Sequence, residues 1–277
     1  MAANSVFQPV NEHGWRTGFA NLFRKESRDW WGTRAWLVQT LIWTAILNGL
    51  LATLLFAVPP EASQASAPPG LAASKDVTGL MVFFIMAGIA LSIGTIILGQ
   101  DEIIDEKKQG TAAWILSKPV SRTAFVLAKL LANALGILIV MVLVQGVLAF
   151  VQVSIARGSL LPIGPFVGAL GLVFLNLMFY LTLTIMLGAL FKERGGVIGI
   201  PMVFLFGYQI IYGILPFLGE IMPWALTTPL DERSGASLAL ALVLGQPLPS
   251  VTPIIATAVW CVVFTGVAVW RFNRDEF

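Results

Sequence analysis

Asp101, Glu102, Asp105 and Glu106 stand at four-residue spacing in the segment Gln100–Lys129, QDEIIDEKKQGTAAWILSKPVSRTAFVLAK. On a helix that spacing stacks Asp101 over Asp105 and Glu102 over Glu106. Carboxylates so placed could hold Mg²⁺ for a prenyl diphosphate. That chemistry needs a second acidic cluster across a cavity, and the other segments on the same side supply only scattered acids such as Glu193, Asp275 and Glu276. His13 is the only histidine, which removes His-metal and zinc-peptidase sites and leaves a Ser/His/Asp set dependent on one terminal residue. No G-x-x-x-x-G-K-[ST] segment occurs, so the chain has no phosphate-cradling loop of its own. These residues point away from an enzyme with a bound metal or cofactor.

The elements that must position the acids are apolar. With 57% hydrophobic and 12% charged residues and a mean hydropathy of +0.84, the 277-residue chain belongs in a bilayer, and nucleic-acid binding gets no support. The expected fold is all-α, with six transmembrane helices at about Ala35–Val58, Val77–Gly99, Leu130–Ala156, Phe166–Phe191, Val197–Leu218 and Thr252–Trp270. The polar start predicts no cleavable signal peptide. Residues 14–32 predict an amphipathic interfacial helix, with Trp15, Phe19, Leu22, Phe23 and Trp30 opposite Arg24, Lys25 and Arg28. Glu26 falls on its apolar side and either snorkels to water or bridges to the Gln100–Lys129 loop. All Lys and Arg except Lys75, Arg157 and Arg233 fall on one side of these spans, which predicts a plasma-membrane protein with both termini and that loop in the cytoplasm. On the other side, Pro59–Gly70 reads as a flexible loop, and residues 219–251 as a re-entrant or surface-lying segment. The whole reads as one transmembrane domain, 1–277.

Within the loop, residues 100–129, the acids begin a short helix and Lys107 and Lys108 follow them, as a helix dipole favours. Pro119 turns Lys118 away from helical dihedrals, and Ser121 is placed to cap the next helix. The acidic run, then Lys108-Gln109-Gly110-Thr111, then Leu116-Ser117-Lys118-Pro119-Val120-Ser121-Arg122 and Lys129, resembles the signature of ABC-2 type transporter permeases. The resemblance implies that the loop couples to a separate ATPase subunit, which binds ATP and Mg, through Glu102, Asp105, Glu106, Gly110, Thr111, Pro119 and Arg122. It also implies a second permease copy or a related permease as partner, and export as the activity.

Polar residues in the spans fall in stripes: Thr44 and Asn48 in the first, Asn176 and Tyr180 in the fourth, Tyr208, Gln209 and Tyr212 in the fifth. They line a translocation path or form hydrogen bonds between packed helices. Gly88, Ser92, Thr95 and Gly99 in the second span suit close packing. Because the spans carry ionisable groups only at their ends, a proton- or ion-coupled carrier is disfavoured, and uncharged or amphipathic cargo suits the path. A non-transporting membrane anchor or scaffold is the alternative from another class, and a membrane prenyltransferase the weaker enzymatic one. The orientation is testable in intact cells: cysteines introduced at Ser63 and Ser234 should react with an impermeant thiol reagent added outside, and one at Gln109 should not.

Overall fold

A computed structural model describes residues 14–59, 74–108, 110, 114, 115, 117–230 and 236–274. Among them every regular element is helical. A 3-10 turn at Gly14–Arg16 precedes α1 (Phe19–Trp31), α2 (Ala35–Ala57), α3 (Lys75–Gly99), α4 (Asp101–Lys108) and α5 (Arg122–Arg157). Then come α6 (Ile163–Leu190), α7 (Arg194–Phe206), α8 (Tyr208–Ile214) and the short α9 (Leu218–Ile221), α10 (Trp224–Thr227) and α11 (Leu238–Val243). The last is α12 (Thr252–Asn273).

Five of these, α2, α3, α5, α6 and α12, are long and apolar enough to cross a bilayer, and α7 with α8, bent by 64°, would make a sixth if the pair is one span. The bend falls at Gly207, between Pro201, which has no N–H to give the helix, and Pro216. The core gathers on α6, against which α3, α11 and α12 pack; Leu177, Tyr180 and Leu181 there are fully enclosed. By contrast α2 and α12 turn most of their apolar side chains outward, as lipid-facing helices do. Helix α11, capped by the Ser237 hydroxyl accepting from the Leu240 N–H, buries Leu238 to Ala241 and Val243. It therefore packs under protein and does not lie on a surface. Residues 231–235 of that outer segment, like the proline-rich loop at 60–73, lie outside the described residues.

The spans do not all match the bilayer. Helix α5 has 36 residues. At 1.5 Å each it runs about 54 Å, against a hydrocarbon core about 30 Å thick. Arg157 at one end of α5 reaches Asp76 at the start of α3 at 3.8 Å, so the excess projects from the end that carries α4. Helix α1 stands beside that projection. Gly18 meets Val120, Glu26 meets Lys129, and Trp30 meets Asn133 and Gly136, so α1 and the first half of α5 run parallel in register. Ser121 caps α5, its Oγ accepting from the Ala124 N–H at 2.9 Å. The end of α12 closes the same corner: the Phe272 ring stacks on Phe125 at 4.9 Å, and Arg122 donates to the Asn273 carbonyl.

The α1 contact depends on one missing side chain. A Cβ at Gly136 would lie 2.5 Å from atoms of the Trp30 indole, which is held in place by its N–H bond to Asn133 Oδ1 at 3.0 Å. Gly136→Val should cost about 1–3 kcal/mol by overpacking. Thermal unfolding of the purified protein in detergent measures it, and the Trp30→Ala background should relieve most of the loss.

Candidate functional site

The projecting ends of α1, α3–α4 and α5 meet at Lys129. Its side chain is only 4% exposed, and its ammonium donates to Glu26 Oε2 at 3.0 Å and Glu102 Oε2 at 3.1 Å, with Glu106 Oε1 also at 3.1 Å. A second ammonium, Lys25, reaches Glu26 Oε1 and Glu106 Oε1, both at 3.1 Å. Burial opposes the Lys25 charge, but Glu26 and Glu106 outweigh it and hold its pKa above the ordinary lysine value. Glu26 thus forms the bridge, to Lys129 at the end of the loop and through Lys25 to Glu106, and is not a group that escapes to water.

Asp101 and Asp105, on the neighbouring rows of α4, go the other way. Arg194, at the start of α7, lies 3.2 Å from Asp101 Oδ1 by its Nε and donates to Asp105 Oδ2 at 2.6 Å by its Nη2. Lys108 and Glu193 add an exposed pair at 3.5 Å. Helix α4 is therefore clamped on two sides, by α1 and α5 through glutamates and by the α6–α7 turn through aspartates. With all four carboxylates turned onto cations of the chain itself, they are not free to hold Mg²⁺, and the diphosphate reading loses its donors.

Beyond α4 the loop opens. Gly110 is exposed with φ +70, the left-handed region where a glycine is needed and nothing crowds it. Trp114 is 62% exposed, with the Lys118 ammonium 3.6 Å above its ring, whereas neighbouring Ile115 is buried. Pro119 is exposed too, and Arg122 is held by α12. Thr111 lies outside the described residues.

The intramembrane stripes are brought to neighbouring helices rather than to one cavity. Asn48 Nδ2 donates to Gln145 Oε1 at 2.8 Å, Thr44 Oγ1 donates to the same oxygen at 3.2 Å, and Gln152 Nε2 donates to Asn48 Oδ1 at 3.1 Å. These bonds join α2 to α5 beside a π turn of each helix, Thr44–Asn48 in α2 and Ile137–Leu143, which ends just before Gln145, in α5. Gln145 Nε2 also donates to the Val140 carbonyl within the α5 π turn. Asn176 Nδ2 donates to Ser92 Oγ at 3.0 Å, joining α6 to α3. The Gly88–Gly99 row of α3 packs closely, Gly88 against Thr227 and Gly99 against Thr184. The Tyr180 hydroxyl is fully buried beside the Trp224 indole N–H and falls short of a hydrogen bond to it. Of the fifth-span residues, Tyr212 borders open space. Gln209 Nε2 donates to Tyr208 Oη at 3.2 Å, and Tyr212 lines a cavity of about 600 Å³ with Pro216, Phe217, Glu220 and Pro253.

Sequence reasoning missed Arg194, Lys25, Trp114, Gln145 and Gln152. The glutamines were the detectable ones, because each is a long polar side chain inside an otherwise apolar span.

An all-helical bundle of five or six candidate spans, with a charged elbow after the second and an amphipathic helix before the first, defines a multi-pass membrane protein. The model of the ABC-2 family transporter proteins matches residues 20–277, and the chain belongs to that family. No curated protein matches it. Membership makes the chain a membrane component of an ABC transporter.

Lys129→Met leaves Glu26, Glu102 and part of Glu106 without their main counter-charge in a buried site. The expected loss is about 3–5 kcal/mol, the range for breaking one side of a buried pair. Unfolding in detergent reads it, and Lys108→Met, in the exposed pair, should be near neutral.

Proposed function

We propose that the chain is the permease subunit of an ATP-driven exporter of the plasma membrane, with the α4 elbow and both termini in the cytoplasm. Two permeases, identical or related, would assemble with two separate ATPase subunits, each docked on the elbow. The observation that carries this reading is the contrast within residues 100–129: α4 is fixed on two flanks by ion pairs, and the turn after it presents Gly110, Trp114, Ser117, Lys118 and Pro119 to solvent. An exposed tip on a fixed base suits a part that a neighbour pushes. Glu102, Asp105 and Glu106 then serve as the rigid side of the joint, passing displacement to α1, α5 and α7. Gly110 and Pro119 shape the tip, Arg122 ties it to α12, and Thr111 is assigned to the docking surface by the family resemblance alone.

ATP and Mg belong to the partner in this scheme. The path would run beside the bent α7–α8 pair, past Tyr208, Gln209 and Tyr212. Thr44, Asn48, Asn176 and Tyr180 would face it only when helices now bonded to one another separate. The alternative, a scaffold that moves nothing, accounts for the clamp but assigns no role to the broken fifth span.

A tagged chain purified from its native membrane should retain a nucleotide-binding ATPase. Trp114→Ala should lower the retained ATPase about tenfold, a modest effect for an exposed aromatic anchor. Gly110→Val, which cannot adopt φ +70 without strain, should weaken it as well, and Gly110→Asn should not. Unchanged assembly in both loss variants, with binding abolished by removing residues 271–277, would move the docking surface to the tail and defeat the proposal.

A further inference from the structure

The segment between α8 and α12 dips into the bundle. Thr227 of α10 sits on Gly88, leaving no room there for a Cβ. Gly88 is in the middle of α3, about 20 Å from Lys75 at 1.5 Å per residue and so inside a hydrocarbon core about 30 Å thick. The Trp224 ring packs on Phe204 of α7 at 4.7 Å. In α9 the Ile221 carbonyl accepts at 3.1 Å from the indole N–H of Trp260, which lies more than two turns into α12. A Cβ at Gly219 would lie 2.6 Å from the Tyr212 ring and 2.9 Å from Leu230, so α8 closes directly on the α9 backbone. Glu220 stands between these two anchored positions, within the depth of the bundle and not on a cap over it.

Glu220 and Tyr212 line one cavity of about 600 Å³, which reaches Pro253 in the first turn of α12 and has Phe217, Thr228 and Leu230 in its walls. The side chains of Glu220, Tyr212 and Thr228 make no hydrogen bond or ion pair among the described residues. A carboxylate at membrane depth is costly unless it is paired or faces a wet cavity, and such residues mark ligand and ion routes. The cavity itself chooses the partner. Its volume is that of a site for a drug-sized molecule, far more than a bare ion fills, and one carboxylate supplies too few oxygens for a hard metal cation. Its walls are mostly apolar, so the ligand has an apolar body. Its one formal charge is negative, and the aromatic rings of Tyr212 and Phe217 in its wall attract cations further. We infer that this cavity binds a lipophilic organic cation, with the charge at Glu220 and the body against Tyr212, Phe217 and Leu230.

In the proposed exporter this cation is the cargo of the path beside α7 and α8, and that role rests on the exporter reading. The binding needs only the permease. A chain that retains its ATPase but binds no such cation would remove the site and leave the exporter; a cation-binding chain that retains no ATPase would do the reverse.

The test is equilibrium dialysis of the purified full-length protein in detergent, with detergent alone as the blank, against tetraphenylphosphonium, the uncharged triphenylphosphine oxide and the anionic tetraphenylborate. Tetraphenylphosphonium should bind saturably at about one site per chain and roughly tenfold more tightly than either of the others, a difference of about 1.4 kcal/mol. Glu220→Gln, nearly the same in shape and with no partner to lose, should weaken tetraphenylphosphonium about tenfold and leave triphenylphosphine oxide unchanged. Tyr212→Leu, which removes a ring from the wall, should weaken the cation more than the oxide, and it keeps the site testable where Glu220→Gln does not fold. Absence of saturable binding, equal affinity for the oxide, or a preference for the cation that survives Glu220→Gln undiminished overturns the site.

Discussion

One ammonium holds three helices. Lys129 lies in the projecting part of α5, and the carboxylates around it come from α1 and from α4. A lone lysine so buried would cost several kcal/mol in lost hydration, and so would each carboxylate. None of the three helices can therefore withdraw without stranding a charge. Replacement by well-packed apolar groups would do as well for stability, so the ionic form is better understood as fixing which helices meet and in what register. The parallel run of α1 along α5, the seat of Trp30 on Gly136 and the position of α4 all follow from where that ammonium sits.

The joint has two unlike sides. Toward α1 and α5 the bonds are buried and multiple; toward α7 they rest on Arg194, exposed to water and to screening by salt. A displacement of α4 would accordingly be carried stiffly into α5 and loosely into α7. Helix α7 leads directly into the 64° break, the least regular part of the membrane bundle. Stiff transmission on one side and a yielding contact on the other is a physical basis for opening one seam of a bundle rather than shifting it whole.

Inside the bilayer the chain solves a different problem. Lipid tails are as apolar as leucine, so helices gain little by burying apolar surface against one another, and small or polar side chains must supply the adhesion. Gln145 and Gln152 with Asn48 and Thr44, and Asn176 with Ser92, do this here. A π turn of each helix lies beside these bonds, and the Gln145 amide answers a carbonyl in that of α5. A polar residue in a span is thus first a bond between helices, and lines a path only where helices part.

Much of this was legible from residue order. The apolar stretches, the Ser121 cap and the family signature depend on local composition and short spacing, which a linear chain displays directly. Amphipathicity of α1 was equally visible, and so was the oddity of Glu26 on its apolar side. What residue order could not decide was partnership. Glu102 and Asp105 are acids of one short helix, yet one faces Lys129 and the other Arg194, because α4 lies between two bodies that approach it from positions 25, 26 and 129 on one side and 194 on the other. The same holds for Asn48 with Gln145. Charge and hydrogen-bond partners are set by which surfaces packing brings within about 3 Å, and that distance exists only once the chain has folded.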